Sequence, residues 1–400
     1  MANNNENKIL NVPNLRFPEF SGEWKKCTIG ELTIKVGSGV TPRGGEAVYK
    51  TDGHPFVRSQ NVGLGQLLLD DIAYIDEDTH QRQKNTELQL DDVLLNITGA
   101  SIGRSAMATK EIVGGNVNQH VCIIRTQDNL ISSFLCNFLL SSYGQKQIDS
   151  FQAGGNRQGL NFEQIKSIKI TIPTVNEQCK IAQLLQLVED RISTQNKIIG
   201  DLKKLKSAII HRCYSSQTNM VSLSILLKQC SSRNRNDLDL QVLSVSNKYG
   251  FIAQSDQFED REVASDDTSN YKVVENGMFA YNPARINVGS IALYEMDGKG
   301  IVSPMYVCFI TNSALLPNYL KYYFASQIFR HEIYKRLEGS VRLCLTFEGL
   351  CNIEIPLPNI EQQENIGKYL STIEYKISLE ESVLSQYQIQ RKYLLSQMFI

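Results

Sequence analysis

Two long segments of the chain place their hydrophobic residues at a helical period. From Asn176 to Tyr214 and from Glu361 to Phe399, apolar side chains recur at alternating steps of three and four residues, which predicts helices with a narrow seam. The seam positions are Leu185, Val188, Ile192, Gln195, Ile199, Leu202, Lys206 and Ile209, then Leu370, Ile373, Ile377, Leu384, Tyr387 and Leu394. Helices of about 38 residues, roughly 55 Å long, need a partner along such a seam. We predict that the two helices pair; the alternative is two separate amphipathic helices, each lying on its own domain.

The segments that lead into these helices repeat each other. Leu160–Val188 aligns with Leu345–Ile373 at a shift of 185 residues, without a gap. The first copy has the alternation of a half-buried strand, with apolar residues at Ile168, Ile170 and Ile172. Pro173 in the first copy and Pro358 in the second end this strand. The chain therefore contains an internal repeat.

The blocks before the helices, residues 23–159 and 221–344, resemble each other far less. Both contain short strand patterns separated by Gly, Asn and Asp, and each also has one apolar segment that predicts a helix, Ile131–Phe151 and Pro317–Leu337. The order is thus variable domain, constant helix, variable domain, constant helix. It suggests two recognition modules for different targets, held at a fixed distance.

Composition limits the class of protein. The 400 residues are 42% hydrophobic and 21% charged with a net charge of −1, as in an ordinary globular protein. We find no apolar run long enough to span a bilayer and no export signal. Nine cysteines without C-x-x-C spacing indicate reduced thiols, so we expect a cytoplasmic protein without a metal site. Any DNA-binding face has to be locally basic, because the whole chain is nearly neutral.

The motifs of catalysis are missing from the sequence. It has neither a phosphate-binding P-loop nor a dinucleotide-binding glycine turn. Asn282-Pro283-Ala284 lacks the second proline and the aromatic residue of an adenine methyltransferase loop, and a turn is the expected structure. His120 near Cys122 has no neighbour in the sequence that orients it, so we expect a histidine on a strand. We predict no catalytic residue in this chain.

Several loops carry side chains that suit base recognition. Arg and Lys pair with guanine, and Asn and Gln pair with adenine. The candidates in the first block are Arg58, Gln60, Asn61, Asn116, Asn118, Gln119, Asn156 and Arg157, and those in the second are Asn247, Lys248, Asn282, Arg285, Asn287 and Arg342. For any single residue a solvated turn is the alternative, and for the Gly-Arg loops a glycine helix cap. The first long helix also carries a basic stripe that faces phosphate, a partner or solvent: Lys197, Lys203, Lys204, Lys206 and Arg212.

These residues resemble a known family, the DNA-specificity subunits of type I restriction–modification systems, over essentially the whole chain. Residues 13–20, followed by Trp24 and Leu32, look like the family's amino-terminal lead-in. Residues 37–42 are similar to the Gly-x-Thr-Pro opening of a target-recognition domain, whereas the second block lacks this opening. The strand-and-proline exits and the paired helices resemble the family's conserved segments.

The resemblance implies an α+β fold with two target-recognition domains of mixed β-sheet and helices, each followed by a long conserved helix. The expected parts are an amino-terminal arm (1–22), domain 1 (23–175), spacer helix 1 (176–216), domain 2 (217–360) and spacer helix 2 (361–400). The helices would form an antiparallel coiled coil with pseudo-two-fold symmetry.

The resemblance also implies a function. Each domain would recognise one half of a bipartite, asymmetric site on double-stranded DNA, and the helices would set the gap between the halves. Two modification subunits, using S-adenosylmethionine, would dock on the scaffold, with Leu184, Leu187 and Ile198 as the expected contacts. Restriction subunits would use ATP and Mg²⁺. The alternatives are an adenine methyltransferase with its own recognition domain and a coiled-coil scaffold that joins two protein-binding domains.

Overall fold

The computed structural model describes residues 11–44, 48–152, 159–216, 219–235, 240–254, 268–338 and 343–400. These residues belong to two compact units. The first contains residues 1–196 and 382–400, and the second contains residues 197–381. Within the described ranges, no helix has the length and apolar character that crossing a membrane requires.

The first unit contains two sheets and a strand pair. Its elements in chain order are β1 (Lys25–Thr28), β2 (Thr33–Ser38), β3 (His54–Val57), β4 (Ala73–Ile75), α1 (Glu77–Arg82), β5 (Val93–Asn96), β6 (Ser105–Met107), β7 (Asn116–Val117), β8 (Val121–Thr126), α2 (Ser132–Leu140), α3 (Ser142–Ser150), α4 (Phe162–Ser167) and β9 (Lys169–Ile172), and the first long helix, α5 (Val175–Ser215), begins here. One sheet has the order β2-β8-β5-β6, the other has the order β4-β3-β7, and β1 pairs with β9. Strands β3 and β7 run parallel.

The second unit follows the same plan. Its elements are β10 (Met220–Ser222), β11 (Leu227–Cys230), β12 (Val242–Ser246), β13 (Gly250–Ala253), β14 (Lys272–Glu275), β15 (Phe279–Tyr281), β16 (Ile291–Leu293), β17 (Lys299–Val302), β18 (Val307–Thr311), α6 (Pro317–Phe324), α7 (Gln327–Tyr334), α8 (Phe347–Cys351) and β19 (Glu354–Pro356), and the second long helix, α9 (Ile360–Gln397), begins here. The sheets have the orders β11-β18-β15-β16 and β13-β12-β17-β14, and β10 pairs with β19.

The two globular parts are alike in topology although their sequences differ. The order β2-β8-β5-β6 in the first unit corresponds to β11-β18-β15-β16 in the second. The parallel pair β3–β7 corresponds to β12–β17, and the pair β1–β9 corresponds to β10–β19. The predicted repeat of a mixed-sheet domain followed by a long helix is therefore present in both units. A sheet needs only the apolar alternation, so side chains can diverge while the topology stays.

The repeated exit strand has the predicted pattern. In β9, Ile170 and Ile172 are buried while Lys169 is exposed, and Pro173 follows directly. In β19, Ile355 is buried and Glu354 is exposed. Each strand pairs with the strand that enters its domain, so the chain enters and leaves each domain side by side.

A repeated glutamine anchors each domain to its long helix. The side chain of Gln178 accepts a hydrogen bond from the Ile131 N–H at 2.9 Å and donates to the Pro173 carbonyl at 3.0 Å. Its counterpart Gln363 makes the same contacts with Leu316 and with the Pro358 carbonyl. Both glutamines are buried. The repeat therefore preserves a buried polar contact, which is costly to leave unpaired.

The apolar segments predicted as single helices are each two helices. The breaks lie at Ser141, between α2 and α3, and at Ser326, between α6 and α7. Both serines have extended backbone angles, and their side chains accept hydrogen bonds from the Gly144 and Phe329 N–H groups. A serine that caps the next helix in this way ends the preceding one. The apolar pattern continues across the break and hides it.

The long helices pair in each unit. The predicted seam residues Leu185, Val188 and Ile192 are buried, and so is the polar Gln195. In the first unit, Glu189 pairs with Arg391, and the Arg191 guanidinium lies over the Tyr387 ring. In the second, Lys203 pairs with Glu381 and Lys206 with Glu374. Numbers rise along one helix as they fall along the other, so the helices are antiparallel within each unit.

These pairs correct the interpretation of the basic stripe. Lys203 and Lys206 face glutamates of the second long helix. Lys204, whose side chain is 84% exposed, lies 3.8 Å from Asp201 on its own helix. Part of the basic stripe therefore forms contacts between the two long helices. The sequence of the first helix alone does not show this.

Candidate nucleic-acid interface

Three loops of the first unit meet at one edge of its sheets: residues 58–61 after β3, 97–104 between β5 and β6, and 118–120 between β7 and β8. The Asn96 side chain donates to the Ser59 carbonyl at 2.8 Å, which joins the first two loops. The Thr98 hydroxyl lies 2.6 Å from Nδ1 of His120, and the Ile97 N–H donates to the His120 carbonyl. We call these three loops the first recognition face.

Two predicted residues of this face are held by one aspartate, Asp71. Arg58 donates from Nη2 to the Asp71 carbonyl at 2.7 Å, and its guanidinium lies 5.3 Å from the centre of the Tyr49 ring. Gln60 is exposed, and its amide donates to the Asp71 carboxylate. The structure therefore positions Arg58 and Gln60 at the loop surface. Gln119 is also exposed, with Nε2 3.3 Å from Nε2 of His120.

The structure contradicts base contacts by three predicted asparagines. Asn61 and Asn116 are fully buried, and Asn118 is 7% exposed. The Asn61 amide donates to the Leu68 carbonyl, and Asn116 contacts His80 and the Gln83 carbonyl. The Asn118 side chain accepts from the His120 N–H. Short amides at strand ends satisfy backbone groups in loops, so these side chains support the face and do not present their edges to a base.

The second unit has a concavity at the corresponding edge. A cavity of about 330 Å³ lies among three loops, and Asn247, Asn282 and Arg285 line it together with Met305 and Tyr306. We call the loops 247–249, 282–290 and 303–306 the second recognition face. Predicted residues from two separate sequence positions thus converge on one site.

The side chains of this face differ in their exposure and in how many of their hydrogen-bonding groups are already paired. Arg285 is exposed, while Asn287 is half-buried and does not line the cavity. Asn282 uses Oδ1 to accept from the Ala284 N–H at 3.0 Å, and its amide nitrogen lies 3.6 Å from the Met305 sulfur. Because sulfur is a weak acceptor, the Asn282 amide retains a donor for a ligand.

Lys248 lies at the rim with an exposed aromatic neighbour. Its Nζ is 4.7 Å from the centre of the Tyr249 ring, and Tyr249 is 66% exposed. The hydrogen bond to Tyr249 raises the pKa of Lys248 above its ordinary value. Lys248 is therefore fully charged at neutral pH. Tyr249 was not predicted from the sequence, although an aromatic residue beside a lysine in a loop was a usable signal.

A shared contact ties the loops of each face. In the first unit Asn96 donates to the Ser59 carbonyl, and in the second the Ser290 hydroxyl donates to the Val245 carbonyl at 2.9 Å. Ser59 follows the parallel strand β3 and Val245 lies within β12, while Asn96 ends β5 and Ser290 directly precedes β16. Neither Asn96 nor Ser290 was predicted, and because the donor differs between copies, the sequence repeat gives no signal for it.

Asn156, Arg157 and Arg342 lie outside the described residues. The chain after both Gly-Arg loops is described, and it contacts the same hairpin loops. The Leu160 N–H donates to the Ile97 carbonyl at 2.9 Å, and the Leu345 N–H donates to the Pro283 carbonyl at 3.1 Å.

The three predicted partner contacts are not equally exposed. Leu187 and Ile198 are 62% and 40% exposed on the first long helix, and Leu205, which was missed, is 50% exposed. Ile198 and Leu205, seven residues apart, lie on one helix face in the second unit, and Leu187 belongs to the first unit. Leu184 is half-buried and packs against the core of the first unit, which corrects its assignment as a free docking residue.

The buried thiols are unsuited to chemistry. Burial raises the pKa of Cys122 to about 12 and the pKa of Cys136 and Cys308 to about 11. Such thiols stay protonated and unreactive. Within the described ranges no group of three or more His, Cys, Asp or Glu residues is arranged to hold a metal ion.

Comparison with known proteins identifies the family. The model of the type I restriction modification DNA specificity domain matches residues 21–204 and 241–386, which is most of the chain. A Methanocaldococcus jannaschii protein named as the specificity subunit of the type I restriction enzyme MjaX is 22% identical over 97% of this chain and 96% of its own. The EcoKI specificity subunit of Escherichia coli K12 is 23% identical over 47% of this chain and 41% of its own.

A solved structure supports the fold. The S subunit of a type I restriction-modification system from M. genitalium superposes with a TM-score of 0.60 at 16% identity, covering 97% of this chain and 99% of the other. This chain therefore belongs to the type I restriction modification DNA specificity family. It is a specificity subunit, a recognition component and not an enzyme, and nothing in these comparisons supports the methyltransferase or scaffold alternatives.

Proposed function

We propose that this chain determines which DNA sequence a type I restriction–modification complex recognises. Each unit binds one half of a bipartite, asymmetric site on double-stranded DNA through its recognition face. The paired long helices set the unread gap between the halves. The observation that carries the proposal is the duplication itself: two domains of one topology present different polar side chains at the same sheet edge.

The chemistry of the faces suits this role. Arg58, Gln60, Gln119 and Arg285 are polar groups that pair with base edges in the major groove. Lys248 is an exposed cation of the kind that contacts phosphate. Because the net charge of the chain is −1, affinity for DNA has to come from such local groups and from partner subunits.

The partners follow from the division of labour in such a complex. We propose that two modification subunits dock on the long helices and methylate adenine with S-adenosylmethionine. The exposed Leu187, Ile198 and Leu205 supply apolar side chains for them. Restriction subunits would bring ATP and Mg²⁺ chemistry, and the complex would act in the cytoplasm on chromosomal DNA. A solved structure with a TM-score of 0.56 to this chain, 15% identical over 93% of it, comes from work on assembly of the type I R-M system.

The test is a genome-wide map of adenine methylation in cells that express the matching modification subunit, with and without this chain. We expect a new methylated motif of two short halves separated by a fixed gap. Exchange of residues 29–159 for the same region of another specificity subunit keeps the repeated β1–β9 strands and should change one half only. A soluble complex that adds no methylated motif contradicts the proposal and favours a scaffold.

A further inference from the structure

The long helices carry one ion pair twice. Glu189 lies 2.6 Å from Nε of Arg391 in the first unit, and Glu374 pairs with Lys206 in the second. The shift of 185 residues that aligns the repeats places Glu189 on Glu374 and Lys206 on Arg391. The two pairs are therefore the same contact, made once in each unit with the helices exchanged.

In the first unit this pair extends into the recognition domain. Nη2 of Arg391 donates to the Leu64 carbonyl at 3.1 Å. Leu64 lies in the turn closed by the bridge between Val62 and Leu67, directly after the loop of residues 58–61. Gly65 in this turn has φ of +96°, and a Cβ there would lie 2.6 Å from Nη2 of Arg391. Arg391 thus joins both helices to the turn that directly follows the first loop of the first recognition face.

In the second unit the pair also reaches the domain. The Tyr322 hydroxyl donates to Glu374 at 2.9 Å, and Nζ of Lys321 lies 3.5 Å from Glu374. Lys321 also donates to Glu295, which follows β16, at 2.8 Å. A continuous set of charges and hydrogen bonds therefore runs from the first long helix through the second to α6 and the sheet. We call each of these two networks a clamp.

The clamps differ from the exposed ion pairs. Arg391 and Glu189 have side chains that are 17% and 18% exposed, and Lys206 is 22% exposed. Lys203 and Glu381, by comparison, are 57% and 49% exposed and join the two long helices. Exposed pairs of that kind contribute little to stability. Groups in one shared network are coupled and hold geometry more strongly.

We propose that the two clamps are positioning groups that hold each recognition domain in one orientation on its helices, and so determine how strictly DNA sites with a longer or shorter gap are rejected. The inference rests on the proposed function. A domain fixed in orientation can meet its half-site at one spacing only. A domain that pivots on its helices would accept neighbouring spacings without any change in the bases it recognises.

The experiment uses the same methylation map, since a genome contains both half-sites at every spacing. The variants are Arg391→Met and Lys206→Met, which remove the charge and keep much of the aliphatic chain. Lys203→Met is the matched control, because it breaks an exposed helix–helix ion pair for which no hydrogen bond to a domain is described. The readout is the ratio of methylation at the normal gap to methylation at gaps one base pair longer or shorter.

We expect this ratio to fall by roughly tenfold in each clamp variant, as the loss of a network contact of about 1.4 kcal/mol would give, while the control keeps it. Tyr322→Phe should lower it as well, because it cuts the clamp on the domain side only. An unchanged ratio overturns the inference, whether methylation is normal or reduced equally at all gaps. If the parent chain produces no bipartite motif, the proposed function fails and the inference fails with it.

Discussion

Asn96 has no exposed surface, and its side-chain amide donates a hydrogen bond of 2.8 Å to the Ser59 carbonyl. The contact joins the loop that carries Arg58 and Gln60 to the last residue of β5, where the hairpin loop begins. A recognition face made of loops needs such fixed points, since loops are otherwise the most mobile part of a domain. Replacing Asn96 therefore tests whether the face depends on this joint.

Asn96→Ala should destabilise the first unit by about 1–3 kcal/mol, because it removes a fully buried amide with its hydrogen bonds to the Ser59 carbonyl and the Ser101 hydroxyl. It should also reduce methylation at the target site, because the first unit would bind its half of that site less well. The measurements are chemical denaturation and the methylation map. Gln119→Ala, an exposed change in the same face, should stay within about 0.5 kcal/mol. Equal stability of the two variants contradicts the role of Asn96.

Lys248→Ala tests a phosphate contact. Binding of the assembled complex to DNA should weaken by a similar factor for every sequence, and the slope of log affinity against log salt should fall by about 1. Lys299→Ala is the control, because Lys299 begins β17 and so lies at the end of the sheet away from this face. A loss confined to one sequence would place Lys248 on a base instead.

Arg285→Ala tests base recognition. Arg285 is exposed and lines the cavity of the second face. Its loss should cost about 1–3 kcal/mol at one base position and relax the preference there. Competition binding with a set of single-base site variants measures this. A uniform loss across all variants would mean that Arg285 contacts the backbone.

Leu187→Glu tests docking on the first long helix. Leu187 is 62% exposed, so the isolated chain should keep its thermal stability. Copurification with the modification subunit should fall sharply, because a charge is buried without a partner at the interface. Ser193→Glu, an exposed position on a different face of this helix, is the matched control. Intact assembly of Leu187→Glu would exclude Leu187 as a docking contact.

Lowering the pH should destabilise the second unit, because it protonates Glu374. Burial alone would raise the pKa of Glu374, but Lys206, Lys321 and Tyr322 lower it below its ordinary value of 4.5. A lowered folded-state pKa adds stability that is complete above about pH 4.5 and is lost as the pH falls through the folded pKa. Denaturation curves at several pH values should show this loss in the parent chain. Glu374→Gln should lack that component, and an identical pH profile in both would contradict it.

The helices and their exits were predictable because their pattern is periodic and occurs twice. Gln178 and Gln363 occupy equivalent positions in the two copies, so their recurrence distinguished them from glutamines that occur by chance. The breaks at Ser141 and Ser326 were not visible, since serine is common both inside helices and at their starts, and only the backbone angles distinguish the two. The ion pairs of Lys203 and Lys206 depend on the register of a second helix, which one helix does not contain.

The recognition faces were predicted less completely. Loop asparagines that support a fold and those that present an edge to a base are the same residue type, so Asn61 and Asn116 could not be separated from Asn282 by sequence. Burial makes the distinction, and burial depends on contacts far away in the chain. That Asn247 and Arg285 line one site could not be predicted either. They follow strands β12 and β15, which lie in different sheets, and the sequence does not give the arrangement of those sheets.

The pairing of each domain's entry strand with its exit strand has a consequence for how such proteins diversify. Strands β1 and β9, and strands β10 and β19, bring the two chain ends of a domain together. The segment between them can therefore be replaced by another that supplies its own contacts to the helices, as Leu64 and Tyr322 do here, while the points of entry and exit stay the same. Under the proposed function, new DNA targets can arise by replacing one segment of a gene, while the helix surface for partner subunits is kept.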